Sequence, residues 1–233
     1  MGQKKLERFA EIRTFSNVLE YPKEMQGKWA DFFKNENPVI LELACGKGEY
    51  AVGLGKMYRT KNFIGIDIKG NRIWVGAKAA LADGLSNVAF LRSHIDKVAD
   101  YFSGGEVSEI WITFPDPQLR HSRMKKRLTH PNFLRLYRQI LHPAGIVHLK
   151  TDSPDLYRFT KTVIELYDLN LLKDDDNVFS KEKIIPELQI KTHYEKLDIA
   201  GSKRIHYLSF QINKELPKEK DEILKQIFSE QQV

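Results

Sequence analysis

The sequence predicts an α/β domain built on a doubly wound, mostly parallel sheet with helices on both faces. Three observations predict it. Short apolar runs at 39–43, 62–68, 88–91, 110–114 and 145–149 are separated by stretches with helical periodicity, an order that calls for right-handed crossovers in a parallel sheet. Those runs are nearly continuous rather than alternating, as strands covered on both faces are. The chain has 233 residues, 42% of them apolar and 29% charged, which is enough for one domain with a proper core.

Helices are expected from about Glu49, from Asn71 to a stop at Gly84, near 96–102, from Pro131 and from the Ser153-Pro154-Asp155 start. Residues 170–203 read as looser, 204–212 as a last strand, and 219–229 as an amphipathic helix. Three regions follow: an N-terminal segment 1–37, a central domain 38–213 and a C-terminal helix within 214–233. The first segment lacks clean periodicity and carries Lys4, Lys5, Arg8 and Arg13. It reads equally as an RNA-touching arm or as a segment packed on the domain.

The single cysteine, Cys45, excludes an intramolecular disulfide and suggests a reducing compartment. The N-terminus lacks the apolar core of a signal peptide, and no run is long enough to span a bilayer. A cytoplasmic protein without a membrane partner is the expectation. Its net charge of +6 is concentrated: between Pro117 and Thr151 there are eight Lys and Arg and no Asp or Glu, leaving 29 basic against all 31 acidic residues elsewhere. A block of one sign points to a polyanionic partner.

That block follows the strand at 110–114, which stops at Phe114-Pro115-Asp116-Pro117. Residues before proline are pushed to extended geometry, so the hook should hold the Asp116 carboxylate just past a strand end, where open α/β sheets bind ligands. Beyond it, Arg120, Arg123, Lys125, Lys126 and Arg127 are suited to phosphates. His121 and His130 read as solvent or phosphate contacts.

A second ligand signal lies in Glu42-Leu43-Ala44-Cys45-Gly46-Lys47-Gly48, between the first strand and the first helix. Gly46 and Gly48 let backbone approach a ligand at a helix start, and Asp67, 21 residues after Gly46, ends the next strand where an acid takes ribose hydroxyls. Glu42 separates the cofactor choices: it attracts the ammonium of S-adenosylmethionine and repels a dinucleotide pyrophosphate. Its alternative is a buried carboxylate satisfied by neighbouring N–H groups. Cys45 reads as a small packed residue.

Glu42-x-x-Cys45-Gly46-x-Gly48, Phe63-Ile64-Gly65-Ile66-Asp67-Ile68-Lys69, Phe114-Pro115-Asp116-Pro117 with its basic run and Arg127-Leu128-x-x-Pro131, Lys150-Thr151-Asp152 and Thr192-His193-Tyr194-Glu195, in this order, resemble the bacterial tRNA (guanine-N7)-methyltransferase family. The resemblance covers about residues 38 to 213. It implies a Rossmann-like class I methyltransferase that uses S-adenosylmethionine to modify a variable-loop guanosine of tRNA, position 46 in tRNA numbering. Carried over, the cofactor contacts fall on Glu42, Asp67, His94 and Asp116, with Asp116 also catalytic. Substrate contacts fall on Arg120, Asp152, Thr192 and Glu195, and no residue is assigned to a metal.

Four positions depart from the family pattern: Ala44 stands for Gly, His94 for an acid, Gln118 for Trp and Arg120 for Lys. Thr192-x-x-Glu195 is equally a capping box, and Asp152 equally a cap for the helix at Pro154. Two other functions fit the same fold, an NAD-dependent oxidoreductase and a non-catalytic RNA-binding protein. The first lacks an evident catalytic partner; the second is suggested only by Ala44 and Gln118.

Overall fold

The computed structural model describes residues 2–180, 182–197 and 204–230. In chain order the elements are α1 (Gly2–Glu11), β1 (Val18–Glu20), α2 (Trp29–Phe33), β2 (Val39–Leu43), α3 (Glu49–Met57), β3 (Asn62–Asp67), α4 (Gly70–Ala82) and β4 (Val88–Arg92). They continue with β5 (Val107–Thr113), α5 (Pro131–Ile140), β6 (Leu141–Thr151), α6 (Pro154–Leu166), β7 (Asn170–Asp175), α7 (His193–Leu197), β8 (His206–Gln211) and α8 (Lys220–Glu230). Short 3-10 turns occupy Ile95–Asp100 and His121–Lys126.

All eight strands form one sheet in the order β1-β4-β3-β2-β5-β6-β8-β7. Every pairing from β1 to β6 is parallel, while β8 runs antiparallel to β6 and β7. The doubly wound fold expected from the sequence is borne out. From β2 the chain winds through β3 and β4 to one side, then returns to β5 and winds the other way, so β2 and β5 flank the switch point.

Side-chain direction alternates along each strand and sorts the core into two layers. Leu41, Ile64, Ala89 and Ile110 face one layer, closed by α2, α5, α6 and α8; Ile40, Phe63, Phe90 and Trp111 face the other, closed by α3 and α4. Proline starts α5 and α6, with His130 and Ser153 as their caps: His130 Nδ1 accepts the Asn132 N–H at 3.1 Å and Ser153 Oγ the Leu156 N–H at 3.2 Å. Asp152 is therefore not that cap.

Two strands were not expected. Val18–Glu20 pairs with β4, with Ile12 fully buried just before it, and Asn170–Asp175 pairs with β8 inside the stretch read as loose. Residues 181 and 198–203 of that stretch lie outside the described residues, as do the side chains of Lys4 and Lys5. Among the described residues no helix is long and apolar enough to cross a membrane.

Candidate active site

The loop after β2 is a chain of left-handed residues: Ala44 (φ 55°), Gly46 (φ 56°) and Gly48 (φ 69°). Asp67 holds this loop from the end of β3. Its Oδ2 accepts the Gly46 N–H at 3.0 Å and its Oδ1 the Lys69 N–H at 2.8 Å, and the residue is 8% exposed. Gly48 has no room for a side chain, since a Cβ would lie 2.3 Å from Cε1 of the buried Phe90 ring. Ala44 has the backbone that glycine adopts without cost, so it carries strain at the floor of the site. Burial raises the Cys45 thiol well above its ordinary value, which leaves it a packed group rather than a nucleophile.

Glu42 lies under the loop and is 3% exposed. Its Oε2 accepts the Ala51 N–H at 2.8 Å and its Oε1 the Thr113 hydroxyl at 3.2 Å. Burial raises its pKa to about 8, although both hydrogen bonds favour the ionised form. This is the arrangement of a carboxylate satisfied by its neighbours.

The hook departs from expectation in one respect. Phe114 is not extended but left-handed (φ 46°), despite the proline that follows. Its N–H continues the ladder to Lys150 O at 2.8 Å, so the main chain stays paired up to the residue before the proline. Beyond it, Asp116 is exposed at the rim, where its Oδ1 accepts the Gln118 N–H at 3.0 Å in an Asx turn. Gln118 is itself left-handed (φ 47°).

Above the switch point these groups line a crevice of about 640 Å³ whose walls include Ala44, Asp67, Phe114, Asp116, Asp152 and Asp155. That volume suits a cofactor-sized ligand. Four carboxylates line it against two cations, Lys69 and Arg72. This donor set favours a ligand bearing a sulfonium and an ammonium over one bearing a pyrophosphate. Ala44 and Asp67 also border a second cavity with Ser93, His94, Lys125 and Lys126, and Asp116 a third with Arg120 and Arg123. S-adenosylmethionine fits these residues.

A family model described as "Putative methyltransferase" matches residues 36–208. The tRNA (guanine-N(7)-)-methyltransferase of Porphyromonas gingivalis is 47% identical, over 85% of this chain and 86% of its own length. That of Bacteroides thetaiotaomicron is 44% identical over 92% and 88%, and that of Christiangramia forsetii 45% over 91% and 100%. The chain belongs to the tRNA (guanine-N7)-methyltransferase family. Among solved structures, the 16S rRNA methyltransferase KamB superposes with a TM-score of 0.61 at 15% identity, over 83% of this chain and 97% of that one, which speaks for the fold alone.

Within this methyltransferase frame, Asp67, His94, Asp116, Arg120, Arg123, Lys125, Lys126 and Asp152 border three cavities that share Ala44, Asp67 or Asp116 as walls. Other predicted residues lie apart from these walls. Thr192 is buried and its Oγ1 accepts the Glu195 N–H at 3.1 Å, while the Glu195 carboxylate meets the buried Lys150 ammonium at 2.8 Å. Both are thus absent from the walls of the crevice, and the capping-box alternative describes Thr192. Arg127 is 5% exposed, unlike its neighbours in the basic run, and borders a small cavity with His121, Arg158 and Phe228. His130 is buried as a helix cap, with burial lowering its pKa to about 4.

Sequence reasoning passed over Thr113 and Arg72, and quoted Lys69 and Lys150 only as members of motifs without a role of their own. A lysine inside an apolar strand is a signal that could have marked Lys150, because a fully buried ammonium needs partners. Leu119, 58% exposed beside Asp116, was also passed over.

Proposed function

We propose that this chain methylates N7 of a guanosine in the variable loop of tRNA, at tRNA position 46, with Asp116 as the catalytic carboxylate. Transfer from S-adenosylmethionine to guanine N7 of tRNA is the activity of its family. One observation carries the site assignment: Asp116 and Asp67, from the ends of β5 and β3, line one crevice beside a strip of cations.

Guanine N7 has a lone pair and no proton, so the protein needs no base to activate it. When bound, S-adenosylmethionine supplies an electrophilic methyl group on a sulfonium. The task left to the protein is orientation. Asp67 holds the loop at Gly46, and with His94 and the acids of the crevice it bounds the cofactor's place. Asp116, fixed by its Asx turn, accepts donors from the guanine edge or balances the positive charge that grows on the purine. Asp152 also faces the crevice, and no described residue hydrogen-bonds its carboxylate, so it is open to a substrate donor.

Arg120, Arg123, Lys125 and Lys126 are exposed around this opening and meet RNA phosphates. The cytoplasm, where tRNA matures, is the proposed location.

Asp116→Ala tests the assignment. Incubation of tRNA with labelled S-adenosylmethionine, followed by mass spectrometry, should show 7-methylguanosine with the wild type and none with the variant, while RNA affinity stays within a few-fold. Equal turnover by the variant rejects the catalytic role.

A further inference from the structure

Arg127 is a buried cation of an unusual kind. Among the described residues no carboxylate lies within ion-pair distance of it, and its only side-chain hydrogen bonds run from Nε and Nη2 to Gln118 O, at 3.4 and 3.3 Å. The guanidinium sits 4.5 Å from the centre of the Phe159 ring and 5.9 Å from that of Phe228. The two rings lie 5.2 Å apart, one on α6 and the other on α8. Burying such a group costs solvation that an apolar side chain would not lose. What only a guanidinium does between two aromatic faces is stack on them and direct two donors at one acceptor.

That acceptor belongs to a telling residue. Gln118 points its N–H at Asp116 Oδ1 and its carbonyl at Arg127. It is held left-handed, a state that persists in a residue with a side chain only where its surroundings over-determine it. The surroundings here are Arg127 on one side and the Asx turn on the other. Behind Arg127 stands α8, fixed by the fully buried Leu224, by the Arg135–Asp221 pair and by a contact between Ser229 Oγ and His121 Nε2 at 3.3 Å.

We infer that Arg127 is a positioning residue for the methyl transfer: braced by Phe159 and Phe228, it clamps the Gln118 carbonyl and so fixes the turn that aims Asp116 into the crevice. The inference rests on the reading of Asp116 as catalytic. It gives the C-terminal helix a part in the reaction without contact with either substrate. It also separates Arg127 from its neighbours Lys125 and Lys126, which are exposed.

The test compares wild type, Arg127→Met, Arg127→Lys and Phe228→Leu in steady-state methylation of a tRNA transcript, with tRNA affinity across a salt series and thermal melting of each protein. Expected are a fall in kcat of tenfold or more for Arg127→Met, a smaller fall for Arg127→Lys, and a several-fold fall for Phe228→Leu. KM for tRNA and the salt slope should stay within twofold of wild type in all three. A folded Arg127→Met with wild-type kcat overturns the inference, as does a raised KM with a flattened salt slope at unchanged kcat, the signature of a phosphate contact. Should Arg127→Met melt below the assay temperature, unchanged kcat in both remaining variants overturns it. A wild-type chain that forms no 7-methylguanosine refutes the enzyme reading itself, and the positioning role falls with it.

Discussion

The Lys150 ammonium lies 2.8 Å from a carboxylate oxygen of Glu195, and the lysine side chain has no exposed surface. Its other donors reach Leu188 O at 2.9 Å and Ile190 O at 3.0 Å, which uses all three protons of the group. The same residue accepts the Phe114 N–H through its carbonyl. One side chain therefore fastens the segment 188–195 to the sheet directly behind the hook.

Removing one partner of that pair strands the other. Lys150→Met should destabilise the fold by about 3–5 kcal/mol, the usual cost of leaving a buried charge alone. The double variant Lys150→Met/Glu195→Leu should recover much of the loss. Urea denaturation of the three proteins checks this, and a double variant as weak as the single one would mean that the ion pair is not the cause.

Glu42 makes stability depend on pH. Its folded pKa of about 8 exceeds the ordinary carboxylate value, chiefly through burial, so the folded state binds its proton more tightly than the unfolded state. The resulting stabilisation is complete below the unfolded value and disappears as pH rises through about 8. Glu42→Gln keeps an acceptor for the Ala51 N–H and cannot ionise. Its melting temperature should vary less between pH 6 and 9 and exceed that of the wild type at pH 9.

The glycine-loop backbone predicts opposite outcomes at neighbouring positions. Gly48→Ala forces a methyl into the Phe90 ring at a left-handed φ and should cost at least about 2 kcal/mol. Ala44→Gly relieves strain of about 1 kcal/mol, offset by greater freedom of the unfolded chain, so its stability should change by less than about 1 kcal/mol. Thermal denaturation distinguishes the two. Calorimetric titration with S-adenosylmethionine should show weakened binding for Gly48→Ala alone.

Exposed and buried cations of the basic loop should differ in their response to salt. Lys125→Ala and Lys126→Ala should each lower the slope of log affinity for tRNA against log salt concentration by about 1. Arg127→Met should leave it near the wild-type value. Equal slopes for all three variants would contradict the burial difference.

The fold was legible because the apolar runs of β2 to β5 must be buried on both faces and the intervening stretches repeat at helical spacing. β1 was missed because Val18–Glu20 is three residues long and takes its place by main-chain pairing with β4. β7 was missed for a similar reason: Asn-Leu-Leu-Lys-Asp-Asp is mostly exposed and lacks alternation. At the crevice, the placement of Asp67 and Asp116 was legible since each marks a strand end with a turn signature of its own. Thr192 and Glu195 were not, because a Thr-x-x-Glu spacing has one meaning for a ligand and another for a helix start, and the choice depends on a lysine that is distant in sequence. The burial of Arg127 was not legible because charge counted along a chain says nothing about which member of the run turns inward.

β8 lies between β6 and β7, although both precede it in the chain. A chain still leaving the ribosome can line up its first strands, but a gap stays open beside β6 until residues 206–211 emerge. Assembly of this sheet therefore waits on residues 206–211 rather than proceeding strand by strand. A stop codon upstream of that point would release a product with an uncapped β6 edge, prone to self-association.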